Sequence, residues 1–161
     1  MAYDIYDASI PPLIHMLGGL SNILTKGEAH GGIDPAQARL APDMLPLKNQ
    51  VYIATDTAKG CGARLAGVEI PKYEDIETSF ADLKARVAKT IAFLKSLDRK
   101  AFAGSENKHI VLKFPNNTFE FNGADYVGKV VLPNVYFHIT TAYGILRNRG
   151  VSLAKSDYLG G

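Results

Sequence analysis

The sequence has 161 residues, is 47% hydrophobic and 21% charged, and sets 18 basic against 16 acidic side chains for a net charge of +2. That is the size and composition of one globular domain, and so even a charge balance argues against nucleic acid or an anionic membrane as partner. The single cysteine, Cys61, rules out an intramolecular disulfide and a cysteine-based zinc site.

The opening stretch MAYDIYDASIPPLIHMLGG carries no basic region ahead of its apolar residues, so no secretion signal is predicted. No apolar run approaches the roughly 20 residues of a membrane span. A cytoplasmic protein is expected. SIPP announces the first helix, with Ser9 as N-cap and Pro11 and Pro12 in the first turn, where missing N–H groups cost little. Ile10, Leu13, Ile14, Leu17, Leu20 and Leu24 follow at helical spacing, and Gly27 with the HGG at 30–32 ends it. The loop GIDPAQARLAPDM follows, with a single helical turn expected at Asp34-Pro35. Its length would let the chain travel the length of a bundle, leaving the first two helices parallel.

The second helix is predicted from about Leu45 to Leu65, on a stripe of Leu47, Val51, Ala54, Ala58, Cys61 and Leu65. Gly67 and Pro71 close it. Ser79 and Asp82 form a capping-box pair for the third helix, whose stripe is Phe80, Leu83, Val87, Ile91, Leu94 and Leu97. Lys84, Arg86, Lys89 and Lys95 read as its solvated face. HIVLKFPNNTFEF then alternates, placing Ile110, Leu112 and Phe114 on one side with Phe119 and Phe121 returning, and PNN supplies the turn of a β-hairpin. Asn122 caps a last helix that runs to about Asn148 and is kinked or broken at Pro133. The tail VSLAKSDYLGG has no periodicity and is expected to lie along the surface. Four amphipathic helices with a hairpin inserted before the last predict an all-α four-helix bundle in one domain, residues 1–161.

Polar residues interrupt this pattern. Val130, Asn134, Phe137, His138, Thr141 and Ile145 share one face of the last helix at i+3/i+4 spacing, and their apolar members make it the inward face. Gln50, three after Leu47 and four before Ala54, turns inward from the second helix. An unsatisfied buried amide or imidazole costs roughly 1–3 kcal/mol, so Gln50, Asn134 and His138 are expected to meet each other, a water or a ligand. Three readings stand open: a polar network that fixes register, a ligand pocket, and a metal centre. The i, i+4 pair suits a metal, yet amides bind transition metals poorly, leaving His138 as the one good ligand. His15 lies beside the first helix's stripe and could reach the same interior. Asp56 and Lys59 fall off the main stripe and are expected at solvent or an interface, with Asp56 able to orient an imidazole if turned inward. Cys61 between Gly60 and Gly62 reads as core. His30 and His109 read as solvated, and Arg147 and Arg149 as complements to a helix dipole.

The segments ARLAPDMLPLKNQVYIATDTAKGCGARLAGVE, ETSFADLKARVAKTIAFL and LPNVYFHITTAYGILRNRGVSLAKSDYLG resemble, over nearly the whole chain, a domain-of-unknown-function family of the DinB/YfiT-like superfamily. RLAPDM, YFHITTAYGILR and KSDYLG carry the likeness most specifically. The resemblance implies an up-down-down-up bundle, commonly a homodimer. Many such proteins use a divalent metal such as nickel or zinc, and characterised relatives include metal-dependent thiol transferases and isomerases. The superfamily's three histidine ligands fall here on Gln50, Asn134 and His138, so one of three is kept. What the resemblance implies is a degenerate metal pocket in a small-ligand-binding or non-catalytic protein without a cofactor, its pocket lined by Gln50, Asn134, His138, Thr141 and His15. The alternative is a thiol transferase or isomerase with a non-standard site around His138.

Overall fold

The computed structural model describes residues 3–160. The bundle is made of α1 (Ile5–His30), α2 (Leu47–Ala66), α3 (Phe80–Ser96) and α5 (Leu132–Asn148). Between α3 and α5 come two 3-10 turns, a hairpin of β1 (His109–Phe114) and β2 (Asn117–Asn122), one turn of α4 (Gly123–Asp125) and a π-helix (Tyr126–Val131). A short α6 (Lys155–Tyr158) follows the bundle. The core is aliphatic, with Leu13, Leu17, Leu20, Leu24, Leu47, Leu83, Leu94 and Ile139 fully buried.

Cross-helix contacts give the directions. Glu28 of α1 meets Lys84, and Asp7 meets Arg99 just beyond α3, so these two run antiparallel. Thr55 meets Arg86 while Gly62 packs on Leu94 and Leu97, which makes α2 and α3 parallel. Gln50 meets His138 and Thr57 meets Asn134, so α2 and α5 are antiparallel. The order is up-down-down-up, with α1 and α2 opposed rather than parallel as the first loop's length suggested. The segment that runs the length of the bundle is residues 67–79. With α2 about 30 Å long from its 20 residues, an extended chain at roughly 3.3 Å per residue spans the return. The first loop instead curls up at one end, where Leu47 N–H donates to Ala38 O at 2.8 Å and Lys48 N–H to Pro35 O at 3.0 Å. The expected turn at Asp34 is present, with Asp34 Oδ1 accepting from Ala36 N–H at 2.9 Å.

Arg86 fastens this return, which corrects its reading as a solvated residue. Its side chain is 1% exposed. Nε donates to Thr55 Oγ1 at 2.8 Å and Nη2 to Asp56 Oδ1 at 2.9 Å on α2, while Nη1 reaches Asp75 Oδ1 at 2.9 Å and Glu77 Oε2 at 3.1 Å in the return segment. The guanidinium stacks on Tyr52 and Tyr73, whose ring also receives Lys59 and Lys89. Tyr52 hydroxyl donates to Glu77 O. Asp56 and Lys59 therefore pair with each other inside this cluster, Lys59 being buried. A planar cation with five donors is suited to hold two helices and a crossing segment at once.

The caps expected for α3 and at Asn122 are present, Ser79 Oγ accepting from Asp82 N–H at 3.1 Å and Asn122 Oδ1 from Asp125 N–H at 2.7 Å, although Asp82 Oδ2 takes the Ser79 hydroxyl at 2.7 Å in place of the backbone N–H of a full capping box. The first helix begins earlier than SIPP suggested. Asp4, not Ser9, is its N-cap, in a reciprocal box with Asp7 that Arg99 bonds from outside. Arg99 also holds the Asp7 carboxyl below the usual carboxylate range. Pro11 and Pro12 thus lie inside the helix, and Ser9 donates to Ile5 O at 2.6 Å. The tail is more ordered than its pattern suggested: α6 docks on α1, where Asn22 donates to Asp157 O at 3.2 Å and Lys26 pairs with Asp157 at 2.6 Å.

Candidate functional site

The α2–α5 seam carries a ladder of polar contacts. Gln50, Thr57 and Arg64 recur every seven residues along α2, the spacing that returns a helix to one seam. Opposite them stand His138, Asn134 and Tyr126, at 2.6, 2.8 and 3.0 Å. From Tyr126 to Asn134 is eight residues, which in an α-helix would rotate Tyr126 about 80° out of line. The wider π turn at Tyr126–Val131 absorbs the extra residue and keeps all three rungs aligned. Pro133 sits just beyond it, at the start of α5, so the break predicted at Pro133 is this π turn.

The stripe predicted as inward is buried only in part. The buried residues of α5 are Val135, His138, Ile139, Thr141, Ala142, Ile145 and Leu146, so His138, Thr141 and Ile145 of that stripe lie in the interior, whereas Phe137 is 57% exposed and Asn134 half-buried. Phe137 was drawn inward by its hydrophobicity, which does not by itself force burial.

The structure brings Gln50 and His138 together and leaves Asn134 apart, paired with Thr57. Leu45 O can only accept, so Gln50 Nε2, 2.9 Å away, must point to it. That turns Gln50 Oε1 toward His138 Nδ1, which must carry the proton. The neutral imidazole therefore presents an unprotonated Nε2. Nε2 bonds to no protein group, and no fully enclosed side-chain nitrogen or oxygen among the described residues is without a partner, so Nε2 keeps some contact with solvent although His138 is only 9% exposed. Burial draws the imidazole below its ordinary titration range. A hydrogen-bonded partner on one ring nitrogen that fixes the other as acceptor is how proteins orient bases and ligands.

The remaining predicted site residues do not join this pair. Thr141 is buried but donates back to Phe137 O at 2.8 Å. His15 is exposed and lies near Gly160 at the chain's end. Cys61 is fully buried and its thiol is pushed up to about 12, in keeping with a core role. Asn134 lines a groove with Ile53, Val130 and Phe137. The buried hub at Arg86 escaped the sequence reading. Its signal was Arg86 lying three after Leu83 and four before Thr90, opposite the acidic YEDIE at 73–77.

The donors do not fit a three-histidine metal centre. Both ends of the Gln50 amide are engaged, Asn134 is turned to Thr57, and among the described residues no three His, Cys, Asp or Glu side chains converge on a cation position. One imidazole is the only good transition-metal donor of the set.

A model of the family described as a domain of unknown function (DUF1993) matches residues 5–159. The chain is also similar to a crystal structure of a DinB family member protein from Shewanella denitrificans, with 37% sequence identity, a TM-score of 0.83, and coverage of 97% of this chain and 92% of that one. Comparison with functionally curated proteins gives no match.

Proposed function

We propose that this chain, which belongs to the DUF1993 family and has the DinB bundle fold, is a small-ligand-binding protein whose site is a converted metal pocket centred on His138. One observation carries the reading: the chain Leu45 O, Gln50, His138 fixes the imidazole with its lone pair outward at Nε2. A core histidine kept only for packing has no need of an open acceptor. Such a site binds a hydrogen-bond donor on an otherwise uncharged molecule, without a cofactor. We read the protein as a cytoplasmic homodimer, a state that sedimentation would test; no helix among the described residues is long and apolar enough to cross a membrane.

Phenol, a minimal donor, is the probe. On titration the His138 Nε2 nitrogen resonance should shift while Nδ1 stays protonated. Gln50→Leu, which frees the imidazole to flip, should weaken phenol about threefold or more. An unresponsive His138 at saturating phenol would rule the reading out. The competing reading, a thiol transferase or isomerase working through His138, draws support from the DinB likeness. Near-stoichiometric nickel, zinc or manganese after dialysis, lost in His138→Ala, would favour it over ours.

The buried imidazole also predicts a pH dependence. Unfolded, His138 titrates near 6.5; folded, its value is lower. Below about 6.5 the unfolded chain binds the extra proton, so this contribution to stability is full above that pH and lost as pH falls through the folded value. His138→Gln should reduce the drop in urea midpoint between about pH 7.5 and 5. An unchanged drop would show that the imidazole is not desolvated.

A further inference from the structure

Residues 69–78 of the return segment are attached to the bundle by side chains alone. Among the described residues they make no backbone–backbone hydrogen bond. None of their side chains joins the buried core, and Ile76 is 74% exposed. What holds them is ionic and aromatic. Arg86 Nη1 donates to Asp75 Oδ1 at 2.9 Å, to Glu77 Oε2 at 3.1 Å and to Glu74 O at 3.3 Å. Tyr52 hydroxyl donates to Glu77 O, and the Tyr73 ring lies 3.9 Å from both Lys59 Nζ and Lys89 Nζ. A segment with few apolar contacts and no backbone ladder opens locally while the remainder stays folded.

Arg86 divides its donors between two tasks. Nε and Nη2 stay with Thr55 and Asp56 on α2, at 2.8 and 2.9 Å, and only Nη1 serves the return segment. Opening therefore does not strand the guanidinium without a counter-ion, which would be the costly event. It uncovers a slot on the α2–α3 seam in which Lys59, Arg86 and Lys89 face one contacting carboxylate, Asp56. Asp75 and Glu77 supply the missing negative charge in the closed state. Asp82, at the edge of the slot, is engaged with the Ser79 hydroxyl. A pocket of about 340 Å3 already opens beside Glu77, Arg86 and Lys89.

We infer that this slot is a carboxylate-binding site which the chain fills with its own Asp75 and Glu77, so that residues 69–78 form an autoinhibitory latch and a small dicarboxylate is the competing ligand. The occupant in place defines the chemistry: two carboxylates share one arm of a guanidinium whose side chain is 1% exposed. Because they are tethered, Asp75 and Glu77 act at an effective concentration that a free acid must exceed, which keeps the wild-type affinity low. The slot shares no residue with the Gln50–His138 pair and stands or falls without it.

The test uses glutarate and the full chain. Asp75→Asn combined with Glu77→Gln keeps the shape of the latch and removes its charge. By calorimetry this variant should bind glutarate at least about tenfold more tightly than the wild type, and Lys89→Ala in the same background should undo the gain. In the wild type, tryptic cleavage after Lys72 should quicken about threefold more with glutarate than with sodium chloride of equal ionic strength, while Lys26 and Arg147 stay uncut. That second measurement stands even where the double variant folds poorly. Absence of saturable glutarate binding by the folded double variant would overturn the site. Equal acceleration by chloride would overturn it too, since screening alone would then release the segment. Cleavage at Lys26 and Arg147 in step with Lys72 would overturn the latch, because the bundle would be opening with it.

Discussion

Arg86→Met is expected to lower the unfolding free energy by about 3 kcal/mol, the order found when one partner of a buried ion pair is removed. Methionine keeps the stem's packing and removes the guanidinium, so Thr55 loses its donor from α3 and the return segment its anchor. Asp56 and Asp75 are 43% and 54% exposed and rehydrate, which holds the loss to the lower part of the range. Glu77, 18% exposed, recovers least. The loss should appear as a lower urea midpoint and as faster proteolysis within residues 67–79. Arg86→Lys should recover only part of it, because a single ammonium cannot span Thr55, Asp56 and the return segment together. A midpoint within experimental error of the wild type would show that the helices hold the crossover without Arg86.

Gly123→Ala is expected to cost about 2–3 kcal/mol, the upper range of overpacking. A Cβ there would stand 1.9 Å from Ser105 O and 2.9 Å from Ser105 C, both backbone atoms of a 3-10 turn that cannot swing aside. Gly123 starts α4 where β2 ends, so relief must come from moving the hairpin relative to the bundle. The variant should combine a lower midpoint with shifted resonances across residues 109–122. An unperturbed hairpin would mean that the Ser105 turn yields instead.

The elements legible in the sequence were those whose signals are local. The third helix followed from one stripe and one cap, and the hairpin from alternation on either side of Pro115-Asn116, because each needs only its own residues to satisfy its backbone. Helix direction was not local: residues 31–46 and 67–79 are comparably long, and the cross-helix contacts show which one runs the length of the bundle. Of the site, Gln50 and His138 were found from spacing and do meet. Asn134 was assigned the same partners, but one turn of α5 moves it along the seam to Thr57. Phe137 shows the remaining limit. Periodicity identifies a face, but how much of that face is covered depends on what the neighbouring elements leave open, and here they leave Phe137 57% exposed.

The π turn has a consequence for how this helix can be aligned with others. Tyr126–Val131 holds one residue more than an uninterrupted helix would need between the same two rungs. In a relative with a straight helix, the compensating gap belongs inside this segment. Positions numbered back from Gly150 correspond directly, whereas positions numbered forward from Asn122 are displaced by one. Removing Gly128, an exposed position with open space around its Cα, should convert the turn to regular helix. It would leave seven residues of regular helix between Tyr126 and Asn134, within about 20° of the same seam, and so keep Tyr126 facing Arg64 with Asn134 and His138 in place. Length variation in this family is therefore expected to concentrate between the hairpin and Pro133, with no effect on the register of the seam beyond it.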